Sequence, residues 1–162
     1  MPPLQMINRI ACRGQDVRQS VPVSGPYRIL VARQGTQVLG YACTQRYRDQ
    51  DAFRETVEVS IGLVERSRGQ GLGTALYQAL FSAVDSEPVH VILAGIALPN
   101  ENSVALHKKF GFSEIGTFKE YAVKNGQYLS SLWMQRLKPA ESPDLGKNYL
   151  GIVRTIMSGA RW

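Results

Sequence analysis

From Tyr27 the chain shows the alternation of β-strands. "YRILVARQ" and "VLGYACTQRY", the latter from Val38, flank the turn residues "QGTQ", which predicts an antiparallel hairpin. The polar loop "RDQDAFRE" leads into "TVEVSIGLV" (56–64), whose β-branched content predicts a third strand. The period then changes. Leu72, Leu76, Leu80 and Val84, with Ala75, Ala79 and Ala83 beside them, fall on one face of a helix that opens near Gly71. "DSEP" ends that helix, and "VHVILAGIAL" predicts a fourth strand, apolar enough to be central. "NENSVALHKKF" predicts a short helix with Gly111 as its C-terminal cap. "SEIGTFKEYAV" and "LSSLWMQRL" predict two last strands joined through "KNGQ".

The ends break this pattern. Pro2, Pro3, Pro22, Gly25 and Pro26 interrupt residues 1–26, which read as irregular, with room for a short element in "LQMINRI". From Pro139, "KPAESPDLGKN" reads as a linker and "YLGIVRTIM" as a small terminal helix. The expected division is an irregular segment 1–26, one domain 27–138 and a C-terminal extension 139–162. A helix between Val64 and Val89 supplies one right-handed crossover between parallel neighbours, so the expected fold class is mixed α/β.

Composition narrows the function classes. The 162 residues are 44% hydrophobic and 20% charged, the profile of a globular domain with its own core. The net charge of +6 is scattered, with no Lys/Arg block, so no nucleic-acid partner is expected. No apolar run is long enough to span a bilayer, and no leader-like run opens the chain. Cys12 and Cys43 do not make a disulfide framework, so reduced thiols and a cytoplasmic setting are expected. Cys43, His90 and Trp133 read as structural, with His90 opening a buried strand and Trp133 filling the core. No metal site is expected.

One stretch carries chemistry of its own. "RSRGQGLGTALYQAL" places Gly69, Gly71 and Gly73, with Arg66 and Arg68, at the entrance to a helix. A loop there exposes unpaired N–H groups, glycines let them converge, and the helix dipole adds a positive field. The combination suits an anionic ligand such as a phosphate. It is not a P-loop, because no Lys-Ser/Thr follows the glycines, and it lacks the first glycine of the dinucleotide fingerprint.

Arg68, Gly71 and Gly73 carry an Arg/Gln-x-x-Gly-x-Gly/Ala pattern. Together with "AGIALPNENSVALHKKFGF" (94–112), "TVEVSIGLV" and "GTFKEYAVKNGQY", it resembles the GCN5-related N-acetyltransferases, in their phosphinothricin and methionine-sulfoximine branch. The resemblance runs from about Tyr27 to Leu137. It implies a mostly antiparallel sheet with one splayed parallel pair and flanking helices. The family's first strand and first two helices have no match here and are expected to be absent or altered. The implied donor is acetyl-CoA. Its diphosphate would lie on the N–H groups of Gly69, Gln70, Gly71, Leu72, Gly73 and Thr74, beside Arg68. Its pantetheine would run along Ile61, Gly62 and Leu63 and meet Asn100.

The same resemblance implies roles in the transfer. Glu58 would take the proton of the attacking amine. The N–H of Leu63 would meet the oxyanion. His107, seven residues from Asn100 and so on the same helix face, would protonate the leaving thiolate. Glu58, Lys124 and Tyr128 would contact the acceptor. Two departures stand out: Ile61-Gly62-Leu63 replaces Val-Tyr-Val, and Tyr128-Leu129-Ser130 replaces an aromatic residue followed by His-Asp. The expected acceptor is a small amino acid or an analogue, and a homodimer through the last strands is implied. The alternatives are a protein or peptide acceptor, or a non-catalytic acyl-CoA-binding chain.

Overall fold

A computed structural model describes residues 5–7 and 25–138. Seven strands form one sheet: β1 (Gln5–Ile7), β2 (Ile29–Gln34), β3 (Gln37–Arg46), β4 (Thr56–Leu63), β5 (Val91–Ala97), β6 (Ser113–Lys124) and β7 (Gln127–Leu137). Their spatial order is β1-β2-β3-β4-β5-β7-β6. Helix α1 (Leu72–Val84) joins β4 to β5, and α2 (Glu101–Lys109) follows β5. Every neighbouring pair is antiparallel except β4 and β5, the pair that α1 connects.

Each predicted element has its local cause in place. The β2–β3 hairpin turns at Gly35, whose φ of 60° suits a residue without a Cβ. The predicted stripe on α1 is buried, and Tyr77 and Phe81 widen it. It packs on Val57, Val59, Ile92, Ala94, Ile96, Leu132 and Met134 from one face of the sheet. Strand parity puts Thr56, Glu58 and Ser60 on the other face, half-buried. Gly111 ends α2 at a φ of 83°, as expected of a cap. Asn125 and Gly126 turn the β6–β7 hairpin with φ of 52° and 75°, the left-handed pair that a two-residue hairpin turn requires.

Of residues 1–24, where the first two helices are expected to be absent or altered, all but 5–7 lie outside the described residues. A three-residue strand within "LQMINRI" pairs antiparallel with β2 at the sheet edge. The C-terminal extension and its expected helix lie outside the described residues.

Three expectations need correction. Trp133 does not fill the core under the helices: it is half-buried on the opposite face, against Tyr47 and Phe118. His90 is exposed and only precedes β5, its N–H donating to the Glu55 carbonyl. Cys43 is disulfide-bonded, where two scattered cysteines suggested reduced thiols; Cys12 lies outside the described residues.

Candidate active site

The loop before α1 is built from left-handed turns. One 3-10 turn (Glu65–Ser67) leaves β4, then Gly69 and Gly71 adopt φ of 73° and 77°. A Cβ at either would meet nothing within 4 Å, so conformation and not space calls for glycine there. Gly73 is different: its Cβ would lie 3.1 Å from Leu106 Cδ2, so this glycine lets α1 approach α2. Gly71 caps α1 with no side chain, and the first helical bond runs from Ala75 N–H to the Gly71 carbonyl. The N–H groups ahead of Ala75 are left for a ligand, at the positive end of the helix. Gln70 folds back to donate to the Arg66 carbonyl at 2.8 Å, while Arg68 is exposed beside the loop.

Beside this loop the sheet opens. β4 pairs with β5 only over Thr56, Val57 and Glu58, and beyond Glu58 the two strands part. Val64 N–H donates to the Leu39 carbonyl in β3. Alternation therefore turns the N–H groups of Leu63 and Ile61 the other way, into the gap that β5 has left. Gly62 lies opposite Tyr41, and a Cβ there would sit 2.6 Å from the ring. The ring from β3 thus takes the space that a side chain at position 62 would need.

Glu58 sits where the strands separate, half-buried on the face away from the helices. Its cross-strand neighbour Gln45 donates to it through Nε2 at 3.3 Å. The same face carries an aromatic row. Tyr47 meets Phe53 at 5.5 Å and Trp133 at 6.4 Å between centroids, Phe118 meets Trp133 at 6.1 Å, and Tyr121 stacks on Phe118 at 5.4 Å. Trp133 lies over Gly95, where a Cβ would be 3.2 Å from the indole. Arg48 stands over both Tyr47 and Phe53.

Lys124 and Tyr128 are not brought to Glu58 within one chain. They lie at the tip of the β6–β7 hairpin. Glu58 aligns through Leu93 with Gln135, seven residues along β7 from Tyr128, which is roughly 23 Å of strand.

Asn100 caps α2, its Oδ1 accepting from Ser103 N–H at 3.2 Å, and its amide nitrogen stays available. His107 is 3% exposed. Nδ1 is 2.7 Å from the Ser103 carbonyl and Nε2 is 2.7 Å from the Tyr77 hydroxyl. Burial pulls the histidine's pKa below its ordinary value and pushes the Tyr77 phenol well above its own. Both ring nitrogens are engaged inside the protein, a different setting from the proton donor expected at the thiolate.

The Acetyltransferase (GNAT) family model matches residues 11–112. The chain belongs to that family. It is 40% identical over 119 residues to a phosphinothricin N-acetyltransferase of Streptomyces coelicolor, covering 72% of this chain and 70% of the relative. It is 36% identical over 142 residues to an L-methionine sulfoximine/L-methionine sulfone acetyltransferase of Pseudomonas aeruginosa, covering 86% and 79%. Among solved structures, a phosphinothricin acetyltransferase of Sinorhizobium meliloti in complex with acetyl-CoA superposes with a TM-score of 0.64 at 34% identity, covering 73% and 69%.

Two groupings near the candidate site escaped the sequence reading. The aromatic row beside Glu58 assembles from the segment between β3 and β4 together with β6 and β7, and no local pattern groups residues so far apart in the chain. Tyr77 carried a helical-period signal, three before Leu80 and four before Phe81, but its partner is thirty residues away.

Proposed function

We propose that this acetyltransferase moves the acetyl group of acetyl-CoA to the amine of a small amino acid or amino-acid analogue, with Glu58 as the base. The observation that carries the reading is the joint position of two features. The glycine loop and the parting of β4 from β5 lie at the same end of the sheet, so free N–H groups of both line one cleft. Acetyl-CoA supplies an activated acetyl thioester there.

The residues divide the work. The N–H groups of Gly69, Gln70, Gly71, Leu72, Gly73 and Thr74, with Arg68, hold the diphosphate. The β4 edge at Ile61, Gly62 and Leu63, with the Asn100 amide, holds the pantetheine. Leu63 N–H faces the gap and donates to the oxyanion, a preorganised dipole of the kind that contributes about 3–4 kcal/mol. Glu58, held by Gln45, accepts the proton of the acceptor ammonium. Holding both reactants in one cleft removes the entropy cost of their encounter. With both its nitrogens engaged, His107 is assigned to packing; as the C–N bond forms and the C–S bond breaks, coenzyme A leaves as the thiolate and takes its proton from solvent.

The acceptor class is supported by the relatives, whose named substrates are amino-acid analogues. A homodimer along β6 is supported by that strand's exposure from end to end, with Ile115, Phe118 and Val123 each more than half exposed. Lys124 and Tyr128, remote from Glu58 of their own chain, belong with that edge.

The test has two parts. Calorimetric titration with acetyl-CoA should show saturable binding. Thiol release should then follow addition of phosphinothricin or methionine sulfoximine, and not of short peptides. Binding with no turnover on any amine would point instead to a non-catalytic acyl-CoA-binding chain.

A further inference from the structure

Helices α1 and α2 border the cleft and meet along one line of contacts. Gly73 faces Leu106, Thr74 Oγ1 is 3.5 Å from Lys109 Nζ, and Tyr77 and Phe81 both pack on Phe110, at 5.4 and 5.5 Å between centroids. At the centre, fully buried, the Tyr77 hydroxyl lies 2.7 Å from His107 Nε2.

The direction of that hydrogen bond follows from its neighbours. The Ser103 carbonyl can only accept, so His107 Nδ1 carries the proton that it receives. Nε2 of the neutral ring is then an acceptor, and the Tyr77 hydroxyl is its donor. Ser103 carries a second bond, its own N–H donating to Oδ1 of the cap residue Asn100. Side-chain hydrogen bonds thus tie the middle of α1 to the last turn of α2 at His107, and Ser103 one turn earlier joins that bond to the Asn100 cap through its backbone.

We infer that Tyr77 is a positioning residue: through His107 and Ser103 it sets the distance between the diphosphate loop of α1 and Asn100 at the start of α2, so that one coenzyme A is gripped at both ends. This rests on the donor assignment above. Tyr77 touches no reacting atom. Its removal should spare a ligand that α1 alone can hold and weaken one that must reach both helices.

The experiment is calorimetric titration of the full chain with two probes. Coenzyme A spans both helices, whereas 3′-phospho-ADP carries the diphosphate without the pantetheine. Tyr77→Phe keeps the ring and removes the hydroxyl. It should weaken coenzyme A about tenfold, the scale of one buried hydrogen bond, and leave 3′-phospho-ADP within about twofold. Val84→Ala, a buried cavity in the last turn of α1, should lower the melting temperature at least as much yet leave both affinities unchanged. If Tyr77→Phe does not fold, His107→Leu makes the same test from the other side, since it removes the acceptor of the Tyr77 hydroxyl.

Equal losses on both probes, an unchanged coenzyme A affinity, or the same selective loss in Val84→Ala would each overturn the inference. Wild-type protein that takes up neither probe would remove the donor assignment, and the inference with it. Wild-type binding with no selective effect would remove the inference alone.

Discussion

The two faces of the sheet are organised on opposite principles. On the helix side, side chains are buried and partnered, and the groups offered to a ligand belong to the backbone: N–H groups of a glycine loop and of a strand edge that its neighbour has left. On the other face the groups on offer are side chains: a carboxylate held by Gln45, a row of aromatic rings and an arginine above two of them. On the proposed function, the donor side is set by main-chain geometry and the acceptor side by side chains that can change one at a time.

Four experiments test that contrast. The largest effect belongs to the carboxylate. Glu58→Gln should lower the rate of thiol release by about 10²- to 10⁴-fold, while the calorimetric affinity for acetyl-CoA stays unchanged. An affinity that fell with the rate would mean the two faces are not separable at Glu58.

Next comes a matched pair of truncations. Leu80→Ala, in the core under α1, should cost about 2–5 kcal/mol in urea unfolding. Phe118→Ala, half exposed on the acceptor face, should stay within about 0.5 kcal/mol and act instead on the KM for the acceptor. Comparable stability losses would make the aromatic row part of the core.

A third variant addresses the loop. Gly71→Ala meets no steric obstacle but must hold a left-handed φ, which costs about 1–2 kcal/mol. The expected outcome is a lower melting temperature and a weaker affinity for acetyl-CoA, with the acceptor KM unmoved.

The smallest effect is a pH dependence. His107 has a lowered pKa in the folded state, so below its ordinary value of about 6.5 the unfolded chain binds the extra proton. Its contribution to stability is complete above that value and is lost as pH falls toward the lowered folded pKa. Urea midpoints at pH 7.5 and 5.5 should fall with acidity in the wild type, and His107→Gln should flatten part of that slope.

The same division explains what the sequence disclosed. The donor side depends on short-range order: glycines spaced by two, the helix they open and the β-branched strand before them all fall between 56 and 84. Periodicity and turn chemistry suffice to read such a segment. Trp133 failed that reading because its apolar character says "buried" without saying under what; it is buried by Tyr47 and Phe118 on the far face, not by α1. His107 shows a different limit. Its spacing from Asn100 is correct, but whether its nitrogens are free depends on Tyr77 in another helix. Lys124 and Tyr128 share a motif with the rest of the site, yet the strand that carries them extends away from Glu58.

Gly62 shows how such dependence is stored in the fold. Its missing side chain is made good by a ring from the adjacent strand, so positions 41 and 62 hold a single volume between them. A change at one is felt at the other: enlarging 62 displaces the ring, and shrinking 41 uncovers the strand beside the gap. The two residues, twenty-one apart in the chain, therefore share one volume on the strand that borders the gap, and a side chain at 62 requires the Tyr41 ring to turn away.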